Sequence, residues 1–258
     1  VGAEVVVRLQ AIVNTPLAPS TGFPGSQVVN IGRVTGWGNE LSINSRLVDR
    51  KTVAWEVGTQ LAKNGNRIED MGGIPFITIG GGQAQNRVGF GIGDIFMYKI
   101  LSATIDPSGF VTSATCDGGT GKAGLEQGGA PVPCADAPRV RWGASQPLWQ
   151  IGVNSTVTLF QKLRLYARVD GNGGDYQSDT EIRALHNLGL TKAVINRDDP
   201  LLQAYRGIEN DATGTYDASF LRLREISATY TLPTSLTGRV GATGGSFGLA
   251  MRNVMMLW

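Results

Sequence analysis

Two cysteines and a single histidine are the residues of this 258-residue chain with the most specific chemistry. Cys116 and Cys134 lie near each other in sequence, and His186 is far from both. A structural zinc site needs four convergent nitrogen or sulfur ligands, so this arrangement does not favour zinc. In a secreted setting two cysteines favour a disulfide, and the alternative is a pair of free thiols. We predict the disulfide, no metal site and no cofactor.

Residues that could support catalysis are scattered and form no recognisable set. His186 has no serine or cysteine motif that would make it the base of a nucleophile. Asp106 and Asp175 could serve a hydrolase, but no readable pair of carboxylates is present. The stretch 118–123 resembles a phosphate-binding loop, yet it lacks the glycine spacing and the Ser or Thr after Lys122. The sequence therefore predicts no catalytic residue and a protein that is not an enzyme.

An acidic, glycine-rich segment runs from Asp170 to Asp175, with Asp179 beyond it. Clustered carboxylate oxygens suit calcium, but the spacing does not fit an EF-hand. The other interpretation is a glycine-rich exit from a strand. Both interpretations stay open at this point.

Several arginines lie on the polar side of alternating segments. We take Arg164, Tyr166 and Arg168 as candidate substrate-binding residues, while the substrate itself is not specified by the sequence. Arg222, Arg224 and Arg252 share the pattern. Such arginines either pair with carboxylates elsewhere in the protein or contact an anionic solute directly.

The elements that position these candidate residues must be β-strands. The chain is 41% hydrophobic and 17% charged, with a net charge of +2 and no run of like charges, so nucleic-acid binding is not indicated. No segment approaches the roughly 18 apolar residues of a membrane-spanning helix. The 36 glycines cluster with Thr, Asn, Ser and Asp between short alternating runs, a pattern typical of an all-β protein.

Seven segments alternate between apolar and polar residues with a period of two. In the sixth segment the alternation slips, because Leu221 and Leu223 have one parity while Ile226 and Ala228 have the other. One extra residue near Arg224 or Glu225 would restore a single apolar face, so we predict a β-bulge there. The predicted strands are residues 3–13, 34–48, 53–63, 149–160, 163–170, 217–231 and 246–253.

The connections between these strands alternate in length. The long ones are 14–33, 64–148 and 171–216, whereas 49–52 and 161–162 are tight turns and 232–245 is moderate. Short turns at one rim and long loops at the other are typical of an outer-membrane β-barrel. Alternation alone also fits a secreted β-sandwich carbohydrate-binding module, whose apolar face would be buried against a second sheet.

Several motifs resemble the late barrel of SusC/RagA-like TonB-dependent transporters. The most specific is Tyr216 to Ile226, with the letters YDASFLRLREI, which is followed by Thr229 to Pro233 and then by Arg252-Asn253. Weaker resemblances lie at 30–41, 49–57 and 93–98, in the order of the family. Departures occur at 36–40 and at Met255-Met256.

The resemblance implies an antiparallel transmembrane β-barrel of about 22 strands, of which residues 1–258 would form part. The plug domain and the terminal strand would lie outside the chain. It further implies the cell outer membrane as location, and uptake of nutrients such as glycans or peptides. The implied partners are outer-membrane lipid, a SusD-like lipoprotein lid, the TonB system and the transported small-molecule, glycan or peptide solute.

Overall fold

The fold is built on β-strands, and a computed structural model describes residues 2–16, 26–79, 83–121 and 126–258, with side chains from residue 32 onward. The strands in chain order are β1 Gly2–Pro16, β2 Ser26–Asp49, β3 Val53–Asp70, β4 Phe76–Ile79, β5 Ala84–Arg87, β6 Asp94–Met97, β7 Ile100–Ile105, β8 Val111–Asp117, β9 Pro131–Pro133, β10 Val140–Gly143, β11 Trp149–Leu159, β12 Leu163–Gly173, β13 Tyr176–Ser178, β14 Thr215–Asp217, β15 Phe220–Thr231 and β16 Ser246–Met256. The helices are α1 Thr180–Asn187, α2 Lys192–Asn196, α3 Pro200–Ile208 and α4 Thr234–Thr237.

A seven-stranded antiparallel sheet runs in the order β1-β2-β3-β11-β12-β15-β16, so strands that follow one another in the predicted list are hydrogen-bonded neighbours. The short connections meet at one rim, where Phe160 N–H donates to the Thr52 carbonyl (2.8 Å) and Thr231 N–H donates to the Lys162 carbonyl (2.8 Å). The long connections leave from the opposite rim. The sheet is open, since β1 and β16 each have one strand neighbour among the described residues.

The predicted β-bulge is present at Arg224. Leu223 lies opposite Val169 and Glu225 lies opposite Arg168, so Arg224 is the unpaired extra residue. The bulge keeps Leu223 and Ile226 on the same face although they differ in parity, because a bulge shifts the two-residue alternation by one. The two ends of β15 therefore contribute to one continuous apolar surface.

Among the described residues, no second layer of protein packs over the apolar face of the sheet. The apolar residues of β11 are only half-buried, and none of them is enclosed by a second sheet. Elsewhere on the face Ile43 is 49% exposed, Phe247 is 61% exposed and Leu249 is 67% exposed. A β-sandwich would bury this face, so the sandwich interpretation is wrong. The half-buried residues of β11 are Trp149, Ile151, Val153, Val157 and Leu159.

Aromatic rings border this apolar face at both rims. At the loop rim Trp149 and Trp258 stack with ring centroids 6.5 Å apart. At the turn rim Trp55 lies opposite Val157, and Tyr230 lies opposite both Leu163 and Phe247. The eleven residues of β11 span roughly 33 Å along the strand, or about 25 Å along an axis tilted by about 40°. That height matches the apolar band of an outer-membrane barrel between its aromatic girdles.

The buried core lies in the two long connections, residues 71–148 and 174–219, which we call the loop assembly. Phe96, Met97 and Val140 are fully buried there, next to two short sheets, β10-β6-β5-β4 and β7-β8-β9. Among side chains that the structure describes, every buried hydrophobic residue except Ile68 belongs to this assembly. The chain thus packs its core outside the large sheet.

Several predicted boundaries were wrong. The connection 14–33 is mostly strand, because β1 extends to Pro16 and β2 begins at Ser26; what remains of it, 17–25, lies outside the described residues. The connection 64–148 is not a plain loop, since β3 continues to Asp70 and seven short strands follow. The predicted strand 217–231 is divided between β14 and β15. Glycine and asparagine at 64–66 concealed the continuation of β3, because both residues are disfavoured in isolated strands.

No helix among the described residues is long and apolar enough to cross a membrane.

A charge placed at mid-height on the apolar face tests whether that face meets lipid. We expect Val153→Arg to destabilise the full-length barrel in lipid vesicles by about 2–4 kcal/mol, because arginine at the bilayer midplane costs that much on a lipid-facing strand. Thr156→Arg is the matched control on the opposite face of β11, and we expect little change from it. Equal effects of the two substitutions in urea unfolding experiments would contradict the assignment of the faces.

Candidate functional site: the polar wall of the sheet

The polar face of the seven-stranded sheet, which we call the polar wall, carries all three candidate binding residues. On β12, Arg164 lies opposite Thr158 of β11 and Thr229 of β15. Tyr166 lies opposite Thr156, and Arg168 lies opposite Asn154. The three side chains thus alternate with the apolar residues of β12 and share one face. Their role in binding a substrate stays a prediction.

A recess lies in the middle of the polar wall, with a volume of about 100 Å³. Its floor includes Gly58 of β3, which lies between Asn44 and Asn154 in the cross-strand register. A Cβ atom at Gly58 would lie only 2.1 Å from Asn154 Oδ1 and 2.8 Å from Asn44 Oδ1. A larger residue at position 58 would displace the two amides, and glycine lets them converge here. The lining residues are Asn44, Gly58, Gln60, Gly152, Val153, Asn154, Tyr166 and Arg168.

Towards the loop rim the recess adjoins a wider cleft of about 530 Å³, and Gln60, Gly152 and Arg168 line both. Polar side chains from β2, β3, β11 and β12 line the cleft together with Phe220 of β15. The polar members of this lining are Glu40, Ser42, Gln60, Gln150, Arg168, Asp170 and Asn172. A surface of this chemistry can hydrogen-bond a polar solute and can equally hold water.

Most of the described arginines of the polar wall form ion pairs within the sheet, and two of them share one carboxylate. Asp170 forms ion pairs with Arg224 (2.9 Å) and with Arg222 (3.4 Å). Arg252 lies 3.6 Å from Glu225. At the turn rim Arg46 pairs with Glu56 (2.7 Å) and with Asp49 (3.1 Å).

The acidic segment that suggested calcium is divided among three unrelated roles. Asp170 pairs with two arginines, whereas Asp179 caps α1 by accepting from the N–H groups of Glu181 (2.9 Å) and Ile182 (3.0 Å). Asp175 is buried in the loop assembly. Among the described residues no three His, Cys, Asp or Glu side chains are grouped so that they could hold a metal ion. The glycine-rich strand exit is the interpretation that fits this arrangement.

The loop assembly is joined internally by a disulfide and by a cradled carboxylate. Cys116 and Cys134 are bonded, with their Cα atoms 4.8 Å apart. The adjacent Asp117 is buried and accepts N–H groups from Gly119, Gly128 and Gly129 at 2.6–2.9 Å. Burial acts to raise the pKa of Asp117, but these N–H donors and Lys99 outweigh it, so the pKa is lowered. Asp117 therefore stays ionised and holds the glycine-rich loop against β8.

A cluster of polar contacts connects the two long segments of the loop assembly, and we call it the latch. Tyr205 Oη accepts the Ile100 N–H (3.0 Å), so α3 is attached to β7. The buried Glu209 accepts the Tyr98 N–H (3.2 Å) and pairs with Arg139 (3.1 Å). Burial raises the pKa of the Glu209 carboxyl, against the lowering effect of the Tyr98 N–H and of Arg139. The latch therefore contains an acid that titrates above its ordinary range.

The sequence signalled the polar wall but not the recess. Parity assigned Asn44, Gln60 and Asn154 to polar faces, yet their convergence depends on the register between β3 and β11. That register pairs residues 53–63 with residues 149–159, which are separated in sequence by the connection 64–148. The latch had no sequence signal, because its members come from connections that were read as loops.

Comparisons with known proteins bear on the whole chain. No protein-family model matches it. The curated TonB-dependent receptor P26 of Formosa agariphila is 24% identical over 280 residues, which cover 96% of this chain and 27% of that receptor. The solved RagAB peptide importer matches in its closed-closed state with a TM-score of 0.75 and 18% identity, over 99% of this chain and 29% of that one. The open-open state gives a TM-score of 0.74, also with 18% identity, over 98% and 28%.

The chain has the barrel fold of TonB-dependent transporters.

This barrel segment spans 27% of the curated relative that it matches. The predicted resemblance and the antiparallel barrel fold are confirmed, and so is the predicted location in the outer membrane. Both relatives are named as a receptor and an importer, and neither name describes an enzyme. The sheet thus has one apolar face, which the described residues leave uncovered, and one polar face, the polar wall.

The stability of the latch should fall as the pH rises. Because the pKa of Glu209 is raised in the folded protein, the contribution of its protonated form to stability is complete below about pH 4.3, the ordinary pKa of a glutamate. That contribution is lost as the pH rises through the folded pKa. We expect hydrogen exchange of residues 98–100 and 200–209 in the full-length protein to accelerate over this range, after correction for intrinsic rates.

Glu209→Gln should remove this acceleration, since glutamine does not titrate. Glu181→Gln is the control, because Glu181 is an exposed acid on α1 in the same connection. If wild type and Glu209→Gln show the same pH dependence, the latch does not act as described.

Proposed function

We propose that the chain forms part of the barrel wall of an outer-membrane TonB-dependent transporter that imports nutrients such as glycans or peptides. The observation that carries the proposal is the two-faced sheet. Its apolar face is uncovered and has the height of a hydrocarbon core, while its other face is polar and holds a cleft. A wall with these faces separates lipid from an aqueous path and needs no catalytic group.

Residues 1–258 would be one part of a longer barrel, with the plug domain and the terminal strand outside the chain. The edges at β1 and β16 support this, because an unpaired strand edge within the hydrocarbon region would leave N–H and C=O groups without partners. Outer-membrane lipid would contact the apolar face.

The proposed partners at the two rims follow from the asymmetry of the connections. Short turns suit the periplasmic side, where the TonB system acts, and the loop assembly suits the outside. A SusD-like lipoprotein lid would close over the loop assembly. Peptides are one substrate class to test, because the RagAB importer is described as a peptide importer; glycans are the other.

The experiment is deletion of the full-length gene in its source organism, followed by growth on single carbon sources. One set contains tryptic peptides of casein, and the other contains polysaccharides such as pectin, starch and xylan. We expect loss of growth on at least one source, restored by the wild-type gene but not by a gene without the TonB-contacting segment. Normal growth and uptake of every source would contradict the proposal.

A further inference from the structure

Arg168 is the arginine that lines the recess, and the described residues give it no ion-pair partner. Among the described residues no ion pair joins Arg168 to a carboxylate, although its strand neighbour Asp170 receives two arginines. Glu225, which lies opposite Arg168 in the register, pairs with Arg252. Asp170 and Glu225 are thus paired with other arginines, and Glu40, which lines the wider cleft together with Arg168, forms no ion pair with it among the described residues.

The recess itself contains no acid. Apart from Arg168, its polar side chains are the amides of Asn44, Gln60 and Asn154 and the phenol of Tyr166. Each amide has both a donor and an acceptor end, and rotation about its last bond presents either one. The surroundings can therefore donate hydrogen bonds to an anion held by the guanidinium, and can accept bonds from neutral groups beside that anion.

The recess has room for a small planar group. Gly58 and Gly152 contribute no side chain to its lining, so the space between the amides stays open. A guanidinium is a planar fork of N–H donors that binds a carboxylate through two parallel hydrogen bonds. A volume of about 100 Å³ admits such a group while the rest of a ligand extends into the wider cleft.

We propose that this recess is a carboxylate subsite on the inner wall of the barrel, in which Arg168 binds an acidic group of the transported solute. The neighbouring amides and Tyr166 bind the hydroxyl or peptide groups that flank the acid. The subsite rests on the proposed function and adds to it a substrate class: solutes with at least one carboxylate, such as acidic peptides or uronic-acid glycans.

The test measures preference for charge in the full-length protein purified in detergent. Two matched pairs of probes are titrated by calorimetry. One pair is the doubly capped peptides Ala-Asp-Ala and Ala-Asn-Ala, and the other is trigalacturonate and its methyl ester. We expect wild type to bind the acidic member of at least one pair about tenfold more tightly, as hydrogen bonds to a charged partner allow. Arg168→Gln should bring that ratio close to one.

Lys162→Gln is the matched control. Lys162 is an exposed cation in the turn before β12, without an ion pair among the described residues, and it does not line the recess or the cleft. This variant should keep the preference of wild type. Thermal unfolding of both variants shows whether they are folded.

Two outcomes overturn the subsite. One is a preference that survives in Arg168→Gln, and the other is a wild-type protein that binds no acidic probe more tightly than its neutral partner. If the preference survives and Arg168→Gln also lowers the unfolding temperature of the ligand-free protein, the carboxylate that Arg168 binds belongs to another segment of the protein. Uptake by the complemented deletion strain separates these results from failure of the proposed function, because import without charge preference removes only the subsite.

Discussion

The apolar face of the seven-stranded sheet is the feature on which the rest of the structure depends. Burial of apolar area is the main favourable contribution to folding, and this sheet does not obtain it from the described residues, because none of them packs over Phe247, Leu249 and their neighbours. A face of this height, bordered by Trp149 and Trp258 on one side and Trp55 on the other, matches the apolar band that outer-membrane barrels present to a lipid bilayer. Strand pairing satisfies the backbone within that medium.

The buried core lies in the loop assembly rather than against the sheet. Nothing among the described residues packs over the apolar face of the sheet, and most of the buried hydrophobic side chains lie in the connections instead, around Phe96, Met97 and Val140. The disulfide and the latch then join segments that are distant in sequence. Tyr205 and Glu209 attach α3 to residues 98–100, so the two segments of the loop assembly, 71–148 and 174–219, are joined to each other. The polar wall below the loop assembly is left free to contact a solute.

Much of the large sheet could be predicted from the sequence, because its information is local. Alternation located all seven strands, the two tight turns indicated the pairs β2-β3 and β11-β12, and the parity slip placed a bulge near Arg224 or Glu225, where the structure has it at Arg224. The boundaries of β2 and β3 could not be read, since 26–33 and 64–70 are strands only because each segment has a partner in the ladder. The strand Asp94–Met97 could not be predicted from alternation either, because it is buried at every position.

The candidate site was predictable only in part, because strand pairing between distant segments cannot be read from local sequence. The residue types of β12 placed Arg164, Tyr166 and Arg168 on one polar face, which needs only a period of two. The recess needs Asn44, Gly58 and Asn154 to meet across three strands, and the register that aligns them is set by long-range pairing. Which arginines form ion pairs is likewise a property of the assembled sheet.

Accessibility along β11 tests the central claim most directly. Single spin labels at positions 150–158 of the full-length protein in lipid vesicles would be exposed in turn to oxygen, which partitions into lipid, and to a water-soluble nickel complex. The account predicts that labels at 151, 153 and 157 collide with oxygen, and that labels at 150, 154 and 156 collide with nickel. Labels at 151, 153 and 157 that are shielded from both reagents would show that protein covers this face and would contradict the account.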